Sequence, residues 1–216
     1  MNKKMGIAGS LLAATLMLSA SANAGVVFLN GNNPQPDEEN ILFNGAGSNP
    51  GPALTVTGRT NHTSTVVTFT SDELLITPSM GQARVDAKDG AFQLLTVALE
   101  NNGTFGDLIF NLNTPNKLKG TAVISVLTDT GTETYNLTVG NGNNFLTILA
   151  TDATRISSVT IDSRGNGMDL KAIDIDDGRQ FRISGLGGTP VPEPGTLALF
   201  AAGLFGIQRL RRRYNK

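Results

Sequence analysis

Polar and apolar residues alternate at period two through several stretches of this chain. Leu54 and Val56 alternate with Thr55 and Thr57, and Tyr135, Leu137 and Val139 with Thr134, Asn136 and Thr138. Val159 and Ile161 alternate with Ser158, Thr160 and Asp162, and Ile173 and Ile175 with Asp174 and Asp176. Successive side chains of an extended strand point to opposite faces, so each stretch turns one face to a core and the other to water. Threonine suits the wet face because the pleat accommodates its branched Cβ. Glycine and asparagine, which accept positive φ, separate the runs. Asp129-Thr130-Gly131 closes a hairpin between strands at 123–127 and 135–139, and Gly140-Asn141-Gly142-Asn143 makes the next turn. Asp89-Gly90, Asn101-Asn102-Gly103 and Gly165-Asn166-Gly167 act in the same way. No helix of ordinary length and no internal repeat shows between these signals. The pattern predicts an all-β protein, an antiparallel sandwich or barrel.

The flanks read differently. Residues 25–51 are loop-like, with two Asn/Gly/Pro-rich stretches enclosing one short strand at 41–43. At the N-terminus, Lys3 and Lys4 precede a largely apolar run at 7–20, and Ala22-Asn23-Ala24 offers the small residues of a cleavage site. That is the pattern of a signal peptide removed by signal peptidase, with the cut placed after Ala24. At the C-terminus, Val191-Pro192-Glu193-Pro194-Gly195 leads into an uncharged run ending at Ile207, followed by Arg209, Arg211, Arg212, Arg213 and Lys216. The run is shorter than the ~20 apolar residues that usually span a bilayer. Its apolar residues surround a helix axis rather than forming one stripe, and basic residues are held on the cytoplasmic side. It reads as a transmembrane helix in the inner membrane, stopped by its arginines.

Taken together, these ends resemble the PEP-CTERM proteins of Gram-negative bacteria. Pro192, Glu193 and Pro194, the apolar segment after them and the terminal arginines carry the resemblance. It implies recognition by a membrane-embedded exosortase, loss of the tail, and transfer of the body to the cell surface or an exopolysaccharide and biofilm matrix. The body is also similar to domains found ahead of such tails, through 145–152 with 156–161 and through Gly167-Met168-Asp169-Leu170-Lys171-Ala172-Ile173. That similarity implies a jelly-roll-like sandwich of the carbohydrate-binding kind. The expected division is a signal peptide at 1–24, a β-sandwich at 25–184, a Gly/Pro-rich stalk at 185–191 and a sorting signal at 192–216.

Removing both ends changes the electrostatics. The whole chain has net charge −1, but residues 25–190 keep 10 basic and 17 acidic residues, net −7. An acidic domain stays soluble and does not attract nucleic acid, whose phosphates need basic partners. The chain has no Cys, which excludes thiolate nucleophiles, thiolate metal sites and disulfides.

Candidate chemistry is sparse. If the two ends of a jelly roll lie close, Asp37 and Glu38 could meet Asp174 and Asp176 and hold a structural calcium ion, which takes six to eight oxygen ligands. No EF-hand spacing is present, and charges that guard a strand edge explain the aspartates equally well. A pair of carboxylates could also serve glycoside hydrolysis. Against both hydrolase and lectin readings, the chain has no Trp and only 2 Tyr, and sugar sites stack rings on such faces. His62, the sole histidine, lies in a polar hairpin turn with no nucleophile elbow elsewhere, and receives no role. Three expectations follow: a structural or adhesive matrix protein first, a carbohydrate-binding module second, a secreted enzyme last.

Overall fold

The computed structural model describes residues 25–77, 84–115, 118–165 and 171–186. Twelve strands, all paired antiparallel, account for it, and no α-helix occurs among the described residues. One layer is built from β1 (Val26–Asn30), β10 (Asn144–Ala150), β7 (Asp107–Asn113) and β12 (Asp177–Ser184), in that spatial order. The other follows β3 (Ala53–Thr60), β4 (Val66–Ile76), β6 (Leu94–Leu99), β11 (Ile156–Asp162), β8 (Gly120–Thr128) and β9 (Gly131–Val139). Two short strands make the seam. β2 (Glu39–Leu42) pairs both β12 and β3, and β5 (Arg84–Ala87) pairs both β12 and β4. The hydrogen-bonded ladder is therefore continuous along one side, and the two layers lie over one another as an antiparallel β-sandwich.

Aromatic side chains fill the space between the layers. The rings of Phe69 on β4 and Phe181 on β12 meet edge-on at 4.8 Å, and Phe43 adds a tilted contact to Phe69 at 5.2 Å. On the side away from the seam, Phe28 of β1 stacks on Tyr135 of β9 at 5.0 Å, and the backbone N–H of Val26 donates to Glu133 Oε1 at 2.9 Å. Side chains thus hold together the two edge strands that no ladder joins. Phe69, Phe92, Phe105, Phe110 and Phe181 are fully buried, each withdrawing a large apolar area from water.

The expected hairpin is present and longer than its apolar run: β8 and β9 pair from Gly120↔Val139 to Thr128↔Gly131 around the two-residue turn Asp129-Thr130. Four details differ from the sequence reading. Val26–Asn30 is a strand rather than a loop, because its apolar residues cover the edge of β10. The short strand expected at 41–43 begins at Glu39. Leu54 is 52% exposed: between Ala53↔Leu75 and Thr55↔Thr70, β4 holds three more residues than β3, and this bulge turns Leu54 out of the core. The alternation at 173–176 makes only one bridge, Phe92↔Ile175, so the aspartates precede β12 instead of ending a strand.

Candidate functional site

The register of the larger layer produces a feature that single strands do not reveal. Thr55 faces Thr70, Thr70 faces Thr96, Thr96 faces Thr160, Thr160 faces Ser125, and Ser125 faces Thr134. Six adjacent strands each contribute a hydroxyl to one unbroken row. The inward row beside it is Val56, Phe69, Val97, Val159, Val126 and Glu133, so pleat alternation sends every hydroxyl to the outer surface. With strands ~4.8 Å apart, the row runs for about 24 Å across the sheet. Thr70 and Thr134 are exposed and the other four half-buried. Two residues along, a second row reads Thr57, Thr68, Ala98, Ser158, Leu127 and Thr132.

Neighbours in the first row bond to each other. The hydroxyls of Thr55 and Thr70 lie 3.0 Å apart and those of Thr96 and Thr160 3.1 Å apart. A hydroxyl offers one donor and two acceptor lone pairs, so such a pair still leaves a donor and several lone pairs for the outside. Neither row contains a charged residue. Charge stands at the margins: at one, Arg164 donates to Asp162 through Nε (3.0 Å) and Nη2 (2.7 Å), with its Nη1 3.5 Å from Asp72, and at the other Arg59, two residues beyond Thr57, donates to the Ser64 carbonyl at 3.0 Å.

The four carboxylates considered for calcium are not assembled. Glu38 accepts from the Gln35 N–H at 2.6 Å and pairs with Arg182 at 3.1 Å. Asp37 sits exposed beside it in a left-handed turn at φ 60°. Asp174 accepts from Gln93 at 2.9 Å, and Asp176 from Asn113 at 3.3 Å. β2 runs antiparallel to β12 with Glu39 opposite Ile183, which places Asp37 and Glu38 at the Ser184 end of β12. Asp176 lies before its other end, about 20 Å away at strand rise. Among the described residues, no three Asp, Glu or His side chains converge in a way that could hold a metal ion.

Other carboxylates are committed to the fold. Buried Glu39 accepts from the backbone N–H of His62 (2.9 Å) and Thr63 (2.8 Å) and from the Thr63 hydroxyl (3.1 Å). Burial pushes its carboxyl up, but these bonds together outweigh burial and hold it below the ordinary glutamate range. Asp177, 1% exposed, takes a two-pronged bond from Arg179, with Arg84 at 3.8 Å. Burial raises Asp86, with its hydrogen bond to Arg84 opposing. Asp107 is also raised, first by burial; the Ser184 hydroxyl donates to its Oδ2, while Oδ1 is buried without a partner. His62 enters this set only through its backbone, in the expected turn between β3 and β4.

The hydroxyl row was missed in the sequence reading. Its signal lies in the triplets Thr55-Val56-Thr57, Thr68-Phe69-Thr70, Ser158-Val159-Thr160 and Thr132-Glu133-Thr134, whose alignment depends on register. Ala22 and Ala24, the motif Pro192, Glu193 and Pro194, and Arg209, Arg211, Arg212 and Arg213 lie outside the described residues. No described helix is long and apolar enough to cross a membrane.

Comparison with known proteins adds two findings. Residues 190–213 match the PEP-CTERM protein-sorting motif. That motif implies an exported, membrane-anchored precursor, processed by an exosortase and sorted to the cell surface. The fold is similar to the solved structure of CBM29_1, a family 29 carbohydrate binding module from Piromyces equi, at 13% identity and TM-score 0.29, over 76% of this chain and 91% of that one. No curated protein matches the chain.

Proposed function

We propose that this chain is a structural or adhesive protein of the cell surface or exopolysaccharide matrix of a Gram-negative bacterium, delivered there by its sorting tail. The single observation that carries the reading is the sorting motif at 190–213 behind an acidic β-sandwich. Two properties of the sandwich support it. The carboxylates of Glu39, Asp162 and Asp177 hold backbone N–H groups and guanidinium groups and so perform scaffold work. The outer face presents neutral hydroxyls rather than a cleft with convergent acids. In this reading signal peptidase and exosortase are processing partners, nucleic acid is not a partner, and the domain works without a cofactor.

Sorting is tested by deleting residues 191–216 and following an epitope in the domain by cell fractionation and surface labelling. Accumulation of the shortened chain away from the surface is expected. Undiminished surface display would sink the proposal. Glycan contact, the second reading, is favoured by one observation, the hydroxyl row.

A further inference from the structure

We infer that the row Thr55, Thr70, Thr96, Thr160, Ser125 and Thr134 is a binding track for a neutral polysaccharide chain lying across the strands. The inference rests on the matrix reading above, since only there would such chains surround the protein. Three properties of the row select this occupant. Its period is one hydroxyl per strand, ~4.8 Å, close to the advance of one pyranose unit in an extended chain. Successive sugars can therefore meet successive strands in register, each exchanging hydrogen bonds with a group that is both donor and acceptor. Its length, about 24 Å, accommodates roughly five units.

Charge decides between classes of polymer. The row is uncharged and belongs to a domain of net charge −7 between residues 25 and 190. An acidic polysaccharide would meet a repulsive surface with no line of cations to neutralise it. A neutral chain meets none of that repulsion. The twist of a β-sheet, about 20–25° per strand, also suits a single chain that can turn with the row better than a flat crystalline face.

Affinity must be gathered along the whole track. No aromatic ring lies in the row, and Tyr135 is stacked against Phe28 on the inner side. Without stacking, each sugar contributes only hydrogen bonds that replace bonds to water, and a single contact is weak. Several contacts on one chain reinforce each other through effective concentration, so long chains bind and short oligosaccharides bind poorly.

The test uses the full chain purified in mild detergent and a set of neutral polymers: amorphous cellulose, xylan, mannan and dextran, with alginate as the acidic counterpart. Retention on at least one neutral polymer is expected, with little on alginate and weak competition by disaccharides. Thr→Val keeps the branched Cβ and removes only the hydroxyl. The quadruple variant Thr55→Val, Thr70→Val, Thr96→Val, Thr160→Val removes both bonded pairs together and so leaves no orphaned partner. It is expected to lose binding by about tenfold or more, each tenfold being 1.4 kcal/mol, with its melting temperature within a few degrees of the parent. The pair Thr121→Val, Thr138→Val, on the same sheet but outside the row, is expected to bind as the parent does. Retention of the quadruple variant at parental affinity overturns the inference, as does preference for alginate, equal loss in the control pair, or no retention on any neutral polymer. Surface display of the quadruple variant separates the two ideas. Display with lost binding supports the track, whereas undiminished display of the tail-deleted chain strikes only at the sorting proposal.

Discussion

Replacing Glu39 tests how much one buried carboxylate contributes to the seam of the sandwich. Glu39 opens β2, the strand through which β12 and β3 are joined by only two residue pairs on each side. Its carboxylate crosses to the β3–β4 turn, where one oxygen receives the His62 and Thr63 N–H groups and the Thr63 hydroxyl. Glu39→Ala leaves both turn amides without this acceptor. A hydrogen bond to a charged group contributes about 1.5–3 kcal/mol, and a stranded buried donor costs about 1–3 kcal/mol. His62 and Thr63 are themselves exposed, so water recovers part of each bond. The lower end of the range applies, about 2–3 kcal/mol in total at pH 7. For a domain of this size that is a fall in melting temperature of about 5–12 °C. Glu39→Gln keeps a carbonyl acceptor and loses only the charge, for about 1 kcal/mol. The pH dependence supplies the sharper check. Hydrogen bonds outweigh burial and lower the folded carboxyl below its unfolded value of about 4.3. Its stabilisation is therefore full above about pH 5 and is lost as pH falls through the folded value. Urea titrations of the parent and Glu39→Gln at pH 7 and pH 3 should show a gap that is smaller at pH 3 than at pH 7. An equal gap at both, or an alanine variant within about 0.5 kcal/mol of the parent, would refute the reasoning.

Two further predictions concern the core and a second buried acid. Phe181→Ala removes a fully buried ring that touches Phe69 at 4.8 Å and Phe110 at 6.1 Å, and should lower the urea-extrapolated stability by about 3–5 kcal/mol; a loss below 1 kcal/mol would mean that the two layers do not meet there. Asp107 titrates in the opposite sense to Glu39. Burial, aided by the charge of Glu38, raises its folded value above the unfolded one, so its contribution is most favourable below about pH 4 and is lost as pH rises through the folded value. Asp107→Asn should therefore gain stability relative to the parent between pH 4 and pH 7, and parallel urea midpoints across that range would remove Asp107 as the cause.

Period-two alternation found β3, β9 and β11, and turn chemistry found the β8–β9 hairpin, because those signals act within a few residues of the chain. What it missed is non-local. Val26–Asn30 carries apolar residues on both faces and becomes a strand only because β10 offers it an edge. Leu54 fits the alternation of its own strand, yet extra residues in β4 expel it. Ile173 and Ile175 are buried as the alternation requires, without a ladder beside them, so burial was legible and pairing was not.

The candidate site shows the same division, and it explains why acidic residues drew attention before hydroxyls did. A cluster such as Asp174, Asp176 and Asp177 is conspicuous in one dimension, but its chemistry depends on which residues arrive from elsewhere. The arrivals here are Gln93, Asn113 and Arg84, which meet the carboxylates one by one instead of concentrating them around an ion. Threonine on a wet strand face is ordinary in any single strand. Only a common register through five successive pairings turns six separate hydroxyls into one track, and a slip of one residue in any pairing would replace a hydroxyl with a core side chain. The inner row of Val56, Phe69, Val97, Val159 and Val126 forbids that slip, because it would carry those side chains into water. Packing of the core thus maintains the outer row, and the candidate binding face is as rigidly specified as the fold itself.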